Sequence, residues 1–392
     1  MIRNRQLIFH LQRQFLSLVP ESHFKITGVF LLLTFSFSAF AQKSNVRTDA
    51  GDIKVEVLAE NLDHPWGMAF LPDNRLLVTE RAGTLRIYDE QDSISQPIQG
   101  TPEVFNQGQG GLLDVALDPD FERNSYIYLS FAEPGQDSTA STALGRGRFE
   151  DNEVKDFEVI FRMEPKVEGP NHFGGRIIFA QDGMLFLTLA ERFKFEPAQD
   201  NSSHLGTIVR INKDGSVPQD NPFTDQDDEK DEIWTYGHRN IESAAIDPGT
   251  GMLWVAEMGP FGGDEFNLIK VGENYGWPVE SWGDNYDGSE IPDPQPNSEF
   301  ADAVVHWTPT ISPSGLIFYT GSMFPEWQNS ALIGGLTSSG LVRMEVNGEQ
   351  AEEVERIPLT VRVRDVEQAP DGSIYVLTDD KNGKILRLNA MD

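Results

Sequence analysis

Short apolar runs that alternate between buried and polar positions recur along this chain. Each is followed by a turn of the Pro-Asp-Gly type and by a second alternating run. The first copy is Met68-Ala69-Phe70-Leu71-Pro72-Asp73-Asn74-Arg75-Leu76-Leu77-Val78. The second leads from Val115-Ala116-Leu117-Asp118-Pro119-Asp120 into Tyr126-Ile127-Tyr128-Leu129. Further copies occupy residues 177–187, 244–255, 315–333 (the loosest) and 366–377. Period-two alternation closed by Asp-Gly or Asn-containing turns predicts β-hairpins. Past the leader, no stretch carries a long helical period. Copies at irregular spacings of roughly 45 to 80 residues predict an all-β chain, a six-bladed β-propeller with variable loops on one face. Two packed β-sandwiches are the competing architecture. Val55-Glu56-Val57-Leu58, ahead of the first copy, is expected to supply the strand that closes the last blade.

The start of the chain reads differently. Arg3, Arg5, Arg13 and Lys25 precede an apolar run from Ile26 to Ala41 that ends in Ala39-Phe40-Ala41. A basic leader, an apolar stretch and an A-x-A ending predict a secretory signal over residues 1–41. The run is shorter than the ~20 residues of a spanning helix. An uncleaved anchor or a misplaced start is the alternative. Residues 42–392 are then one exported propeller domain, periplasmic or secreted, with no membrane span after cleavage.

Charge narrows the partners. The chain holds 31 basic and 62 acidic residues and a formal net charge of −31. The leader removes four of the former and one of the latter, so the remainder carries about −34, which works against nucleic acid or anionic lipid. There is no cysteine, so stability rests on burial and any bound metal.

One loop stands out for chemistry. Gly169-Pro170-Asn171-His172-Phe173-Gly174-Gly175-Arg176 sets a histidine in a Gly/Pro-rich turn directly before a predicted strand. Binding and catalytic groups collect on loops held by a rigid scaffold, and a neutral imidazole suits proton abstraction near pH 7. A histidine that merely fills a turn is the plain alternative.

An ordered set of blocks resembles the soluble pyrroloquinoline-quinone-dependent sugar dehydrogenases, the glucose/sorbosone or aldose sugar dehydrogenase family. The blocks are Asp63-His64-Pro65-Trp66-Gly67-Met68 with Thr79-Glu80-Arg81, Gly108-Gln109-Gly110-Gly111-Leu112-Leu113-Asp114, and the His172 loop. Next come Tyr236-Gly237-His238-Arg239-Asn240, Gly259-Pro260-Phe261-Gly262-Gly263-Asp264-Glu265 and Asn274-Tyr275-Gly276-Trp277-Pro278. Pro309-Thr310-Ile311-Ser312-Pro313 and Arg362-Val363-Arg364-Asp365 complete the set. The resemblance implies a six-bladed propeller, in agreement with the repeat count. It further implies a periplasmic oxidoreductase that takes an aldose at C1 to its lactone with pyrroloquinoline quinone and Ca²⁺.

By that resemblance His172 is the catalytic base and Arg239 polarises the quinone oxygen. Gln109, Asn240, Trp307 and Thr310 line the cofactor, and Arg362 and Arg364 clamp its carboxylates. Gly259 and Pro260 offer carbonyls to the calcium that tethers the quinone. Asp264, Glu265 and the Tyr275 carbonyl form a second calcium site, since hard oxygen ligands suit that ion. The partners expected are a sugar and an unspecified electron acceptor, with the protein a monomer or homodimer.

Departures fall in the same loops. Ile241-Glu242-Ser243 replaces Pro-Gln-Gly, and Thr337 stands where a lysine is usual. Ala190-Glu191 replaces Gly-Asp, Met258 replaces His or Gln, and Phe261 replaces an arginine of many relatives. Fewer positive charges predict weaker capture of an anionic cofactor. A propeller that has lost the cofactor and binds a small ligand, or hydrolyses one with metal assistance, is therefore the alternative function.

Overall fold

The computed structural model describes residues 44–391, so the expected signal segment lies outside the described residues. Among the described residues six antiparallel blade sheets follow one another along the chain, four of them four-stranded and two five-stranded. Their innermost strands are Pro65–Phe70, Leu112–Leu117, Gly174–Phe179, Ile241–Ile246, Pro313–Phe318 and Val363–Gln368. Each packs beside the next, and the last meets the first, which closes a six-bladed propeller. The six hairpins read from alternation are the two inner strands of the six blades. Among the described residues the only α-helix is the four-residue Phe121–Asn124, and no helix is long and apolar enough to cross a membrane.

The closing strand is where the alternation placed it. Gly51–Leu62 pairs with Gly383–Ala390, with Val55 opposite Leu388 and Val57 opposite Leu386. A fifth strand, Ser44–Thr48, adds to its outer edge, which the sequence pattern did not announce. Joining Gly51–Leu62 to Gly383–Ala390 in one sheet ties the ring of blades shut.

Apolar alternation on both sheet faces builds a separate core between every pair of blades. Leu77, Leu112 and Phe131 fill the space between the first and second blades. Trp254, Phe266, Leu316 and Ile333 do so between the fourth and fifth. Trp327, Leu332, Val363 and Val376 join the fifth to the sixth, and Leu62, Met68 and Leu377 join the sixth to the first. Second strands such as Leu185–Leu189 and Ile374–Thr378 are buried along their whole length, because they face cores on both sides.

A backbone feature repeats at the head of every innermost strand. The register slips between Pro65 and Met68, Leu112 and Val115, Gly174 and Ile177, Ile241 and Ser243, Pro313 and Leu316, and Val363 and Asp365. Bulges re-aim side chains beside functional sites. Here they carry Trp66, Asp114, Arg176, Glu242, Ser314 and Arg364, which come together near the axis.

Candidate active site

His172 sits at the end of the loop before the third blade in a left-handed conformation, φ 51°. Three ties hold it there. Its backbone N–H donates to Gln109 Oε1 at 2.6 Å, and the Gln109 N–H donates back to the Pro170 carbonyl at 2.8 Å. The Arg192 guanidinium donates to the Gly169 carbonyl at 2.6 Å and lies 3.6 Å from the centre of the Phe173 ring. Gly108 lets the two loops close up, because a Cβ there would come within 2.5 Å of Pro170.

The buried imidazole bonds through Nδ1 to Glu191 Oε1 at 2.5 Å. Glu191 is itself fixed, since its other oxygen accepts the Lys194 and Phe195 backbone N–H groups. A carboxylate on Nδ1 selects the tautomer that leaves Nε2 as the acceptor, and among the described residues nothing bonds to Nε2. Burial, joined by the Arg239 charge, pushes the His172 pKa below its ordinary value, while Glu191 opposes the shift. Burial would raise Glu191, but the His172 hydrogen bond and charge, the Phe195 N–H and the Arg239 charge together hold it below the ordinary range. The result at neutral pH is a neutral base with an oriented lone pair. Reading Ala190-Glu191 only as a departure missed this partner, because nothing in the local sequence points Glu191 back at a histidine nineteen positions earlier.

Arg239 is buried and braced by carbonyls. Its Nη1 donates to Met258 O at 2.8 Å and Gly259 O at 2.7 Å, and Nη2 donates to the Tyr286 hydroxyl at 3.3 Å. Its Nε has no partner among the described residues. Phe193, Phe195, Pro260 and Tyr286 border a cleft of about 350 Å³ on this side. The Phe193 ring meets His172 edge-on at 5.1 Å. None of these three aromatics was singled out from sequence, since aromatics in loops carry no periodic signal.

On the other side lies a cleft of about 460 Å³ bordered by Trp66, Gln109, Glu242, Arg362, Arg364 and Asp379, with Arg81 and Lys381. Gln109, Arg362 and Arg364 are therefore together, as expected. Arg81 and Lys381 are additional cations that no residue role predicted, although Thr79-Glu80-Arg81 was one of the matching blocks. Arg364 is held by Glu242 and, at 3.1 Å, by Asp379, and Arg362 bonds Asp379 at 2.6 Å. Burial would raise Asp379, but the Arg364 charge and the Arg362 hydrogen bond bring it to about 2. Glu242, which stands where the resemblance leads one to expect an amide, is a partner of Arg364, and its other oxygen accepts the Asn240 amide at 3.2 Å.

The remaining expected residues divide. Asn240 is buried, and its side-chain Oδ1 accepts the Gly174 N–H at 3.3 Å. Thr310 is at the rim and accepts the Thr337 hydroxyl through its carbonyl at 2.9 Å. Trp307 is elsewhere: it lies in the outermost strand of the fourth blade, packs in the core between blades four and five, and donates to Glu353 at 2.6 Å. Asp264 clamps two loops by accepting the Gly259 and Ser312 N–H groups at 2.9 and 2.6 Å, and burial lifts its pKa to about 6.

Glu265 and Glu257 share the Asn267 amide, each at 3.1 Å, and with Tyr275, Gly259 and Glu280 they border a cavity of about 10 Å³. That is about the volume one water or small ion needs. Burial and then the Glu257 charge push the Glu265 carboxyl well above its ordinary range. Among the described residues no three acidic, histidine or cysteine side chains converge as a ready metal cluster, so carbonyl oxygens would have to complete a site.

Comparison with known proteins agrees with this fold. The chain is 44% identical over 345 residues to the aldose sugar dehydrogenase YliI of Escherichia coli K12, across 86% of this chain and 93% of that protein. The apo-form structure of the soluble aldose sugar dehydrogenase from Escherichia coli aligns with a TM-score of 0.84 at 43% identity, over 86% of this chain and 100% of that one. A PQQ-bound aldose sugar dehydrogenase from Streptomyces coelicolor aligns with a TM-score of 0.71 at 28% identity, over 89% and 98%. Residues 62–387 match the glucose/sorbosone dehydrogenase family, from the end of the closing strand to the last strand of the sixth blade, and the chain belongs to that family of sugar-oxidising enzymes.

Proposed function

We propose that this protein oxidises aldose sugars at C1 to the lactone, with pyrroloquinoline quinone and Ca²⁺, after export to the periplasm and removal of residues 1–41. The observation that carries the chemistry is the His172–Glu191 pair, bonded to Gln109 of the cationic cleft and beside Phe193 and Arg239 of the aromatic one.

The residues fit an anionic, planar cofactor. Arg81, Arg362, Arg364 and Lys381 face Glu242, Asp379 and Asp380 around the larger cleft, so its lining is net positive. The Nε atoms of Arg81 and Arg364 are buried without a partner among the described residues, and such donors call for an acceptor. When bound, the quinone supplies the hydride acceptor. His172 Nε2 takes the C1 hydroxyl proton, and Glu191 stabilises the imidazolium that results. Arg239 lies fixed where negative charge develops, and needs no reorganisation to meet it. Phe193 and Tyr286 offer flat apolar faces that orient a sugar ring. The Gly259 and Pro260 carbonyls would hold the tethering calcium, and Glu265 with the Tyr275 carbonyl a second ion.

A cofactor-free binding propeller draws its support from Arg364 and Arg362, which already have carboxylate partners within the protein. Titration of the apoprotein with quinone and Ca²⁺, followed by dye-linked sugar oxidation, separates the two. The oxidoreductase reading expects saturable binding and activity that rises with occupancy. His172→Ala should lower kcat by about two to four orders of magnitude with little change in cofactor affinity. No saturable binding would leave the binding propeller standing.

A further inference from the structure

Sugar oxidation releases two electrons, and the mouth of the site has a surface suited to a protein that collects them. Phe261–Gly262 pairs with Gly283–Asp284 as a two-stranded arm that belongs to no blade. At its tip Phe261 is 72% exposed, directly opposite exposed Asp284, and Tyr286 is 64% exposed beyond it. Large apolar side chains this exposed are uncommon, and a cluster of them marks an interaction site.

The arm is rigidly joined to the catalytic groups. Gly259, two positions before Phe261, accepts Arg239 through its carbonyl, and the Tyr286 hydroxyl accepts from the same guanidinium. Gly263 N–H donates to Thr308 Oγ1 at 3.0 Å, and Trp282 stacks on His306 at 4.0 Å. Anything seated on Phe261 is therefore close to the reacting centre.

Charge identifies the occupant. Residues 271–342 contain no lysine or arginine. Asp284, Asp287, Glu290 and Asp293 are all exposed there, and among the described residues none of them forms an ion pair. Some acidic turns carry a local cation, as in Asp73 with Arg75 and Asp151 with Lys155. This one, like the turn at residues 225–228, does not, and among the described residues only this one lies beside an exposed aromatic arm. An apolar tip in an unneutralised acidic field matches a basic partner with an apolar centre. A second copy of this chain would present the same acidic face, which like charge opposes.

We infer that the Phe261–Asp284 arm and the acidic loop behind it are the docking surface for a small basic one-electron carrier protein, of the haem or copper class. The inference rests on the oxidation proposed above. For each sugar, the C1–H and O–H bonds break, two protons pass to water, and two electrons leave in two successive encounters, each reducing one carrier by one electron.

The test uses a small basic haem protein of the c type as the probe carrier, with dye-linked sugar oxidation run in parallel. Direct binding to the apoprotein is measured as well, so that docking is read even where turnover is absent. Raising ionic strength from about 20 mM to about 200 mM should weaken binding and carrier reduction about tenfold and leave the dye reaction little changed. Phe261→Ser should weaken both carrier readouts several-fold. The triple change Asp284→Lys, Glu290→Lys, Asp293→Lys should do so at least tenfold at low salt. All of these residues are exposed, and an unchanged thermal midpoint checks the fold. Asp284→Asn with Glu290→Gln provides a milder second set. Binding or reduction that ignores both salt and these substitutions would overturn the inference. So would a wild-type dimer that Phe261→Ser converts to monomer, because the surface would then be a self-interface. Loss of dye-linked oxidation in wild type would instead count against the sugar-oxidising reading, and the binding arm would still decide docking.

Discussion

Glu242 and Arg364 meet across the propeller axis, each from the bulge of its own innermost strand, 122 positions apart in the chain. The carboxylate that replaces the usual amide is not a stray like charge in an anion site. It competes with any anionic ligand for Arg364. Glu242→Gln should therefore tighten quinone binding several-fold while lowering stability by about 1–3 kcal/mol, less than the loss of a wholly buried pair because Asp379 still serves Arg364. Isothermal titration and thermal melts of the same preparations check both signs. Weaker quinone binding in the variant would mean that Glu242 positions Arg364 for the ligand.

Glu191 should show itself in pH dependence. Burial, with the Arg239 charge, pushes His172 below its ordinary pKa and so keeps the base neutral, while Glu191 opposes that shift. Glu191→Gln removes the raising influence. The acid limb of kcat/KM should move to lower pH, and kcat should fall about ten- to a hundred-fold as orientation is lost. A limb that stays in place would assign it to another group.

Calcium should act through Glu265. Its carboxyl is pushed upward by burial and by Glu257, so a divalent cation relieves a repulsion that the apoprotein retains. Added Ca²⁺ should raise the thermal midpoint at pH 7.5, and the rise should shrink toward pH 5 as protons compete for the same oxygens. Glu265→Gln should stabilise the calcium-free protein and abolish the calcium response. A midpoint indifferent to Ca²⁺ and to chelator in wild type would remove this site.

Trp307 separates packing from binding. Trp307→Phe loses the hydrogen bond to Glu353 and part of the core between blades four and five. It should cost about 1–3 kcal/mol of stability with quinone affinity unchanged. A selective loss of quinone binding would return Trp307 to the cofactor site.

Sequence alone determined the hairpins, their number and the closing strand. Alternation such as Ile53-Lys54-Val55-Glu56 is set by which face of one strand meets a core, a local property with period two. Matching blocks likewise brought out His172, Arg239, Arg362 and Arg364. Tertiary structure decided what those groups touch. That Glu191 turns to His172, that Glu242 neutralises Arg364, that Arg81 and Lys381 join the cationic cleft, and that Trp307 faces a core all depend on closure of the ring. So does the re-aiming of one residue at each inner-strand bulge, since a one-residue slip leaves the hydrophobic pattern on either side intact. Charge pairing follows distance in space, and only closing the ring of blades brings residues 242 and 364 within hydrogen-bond reach.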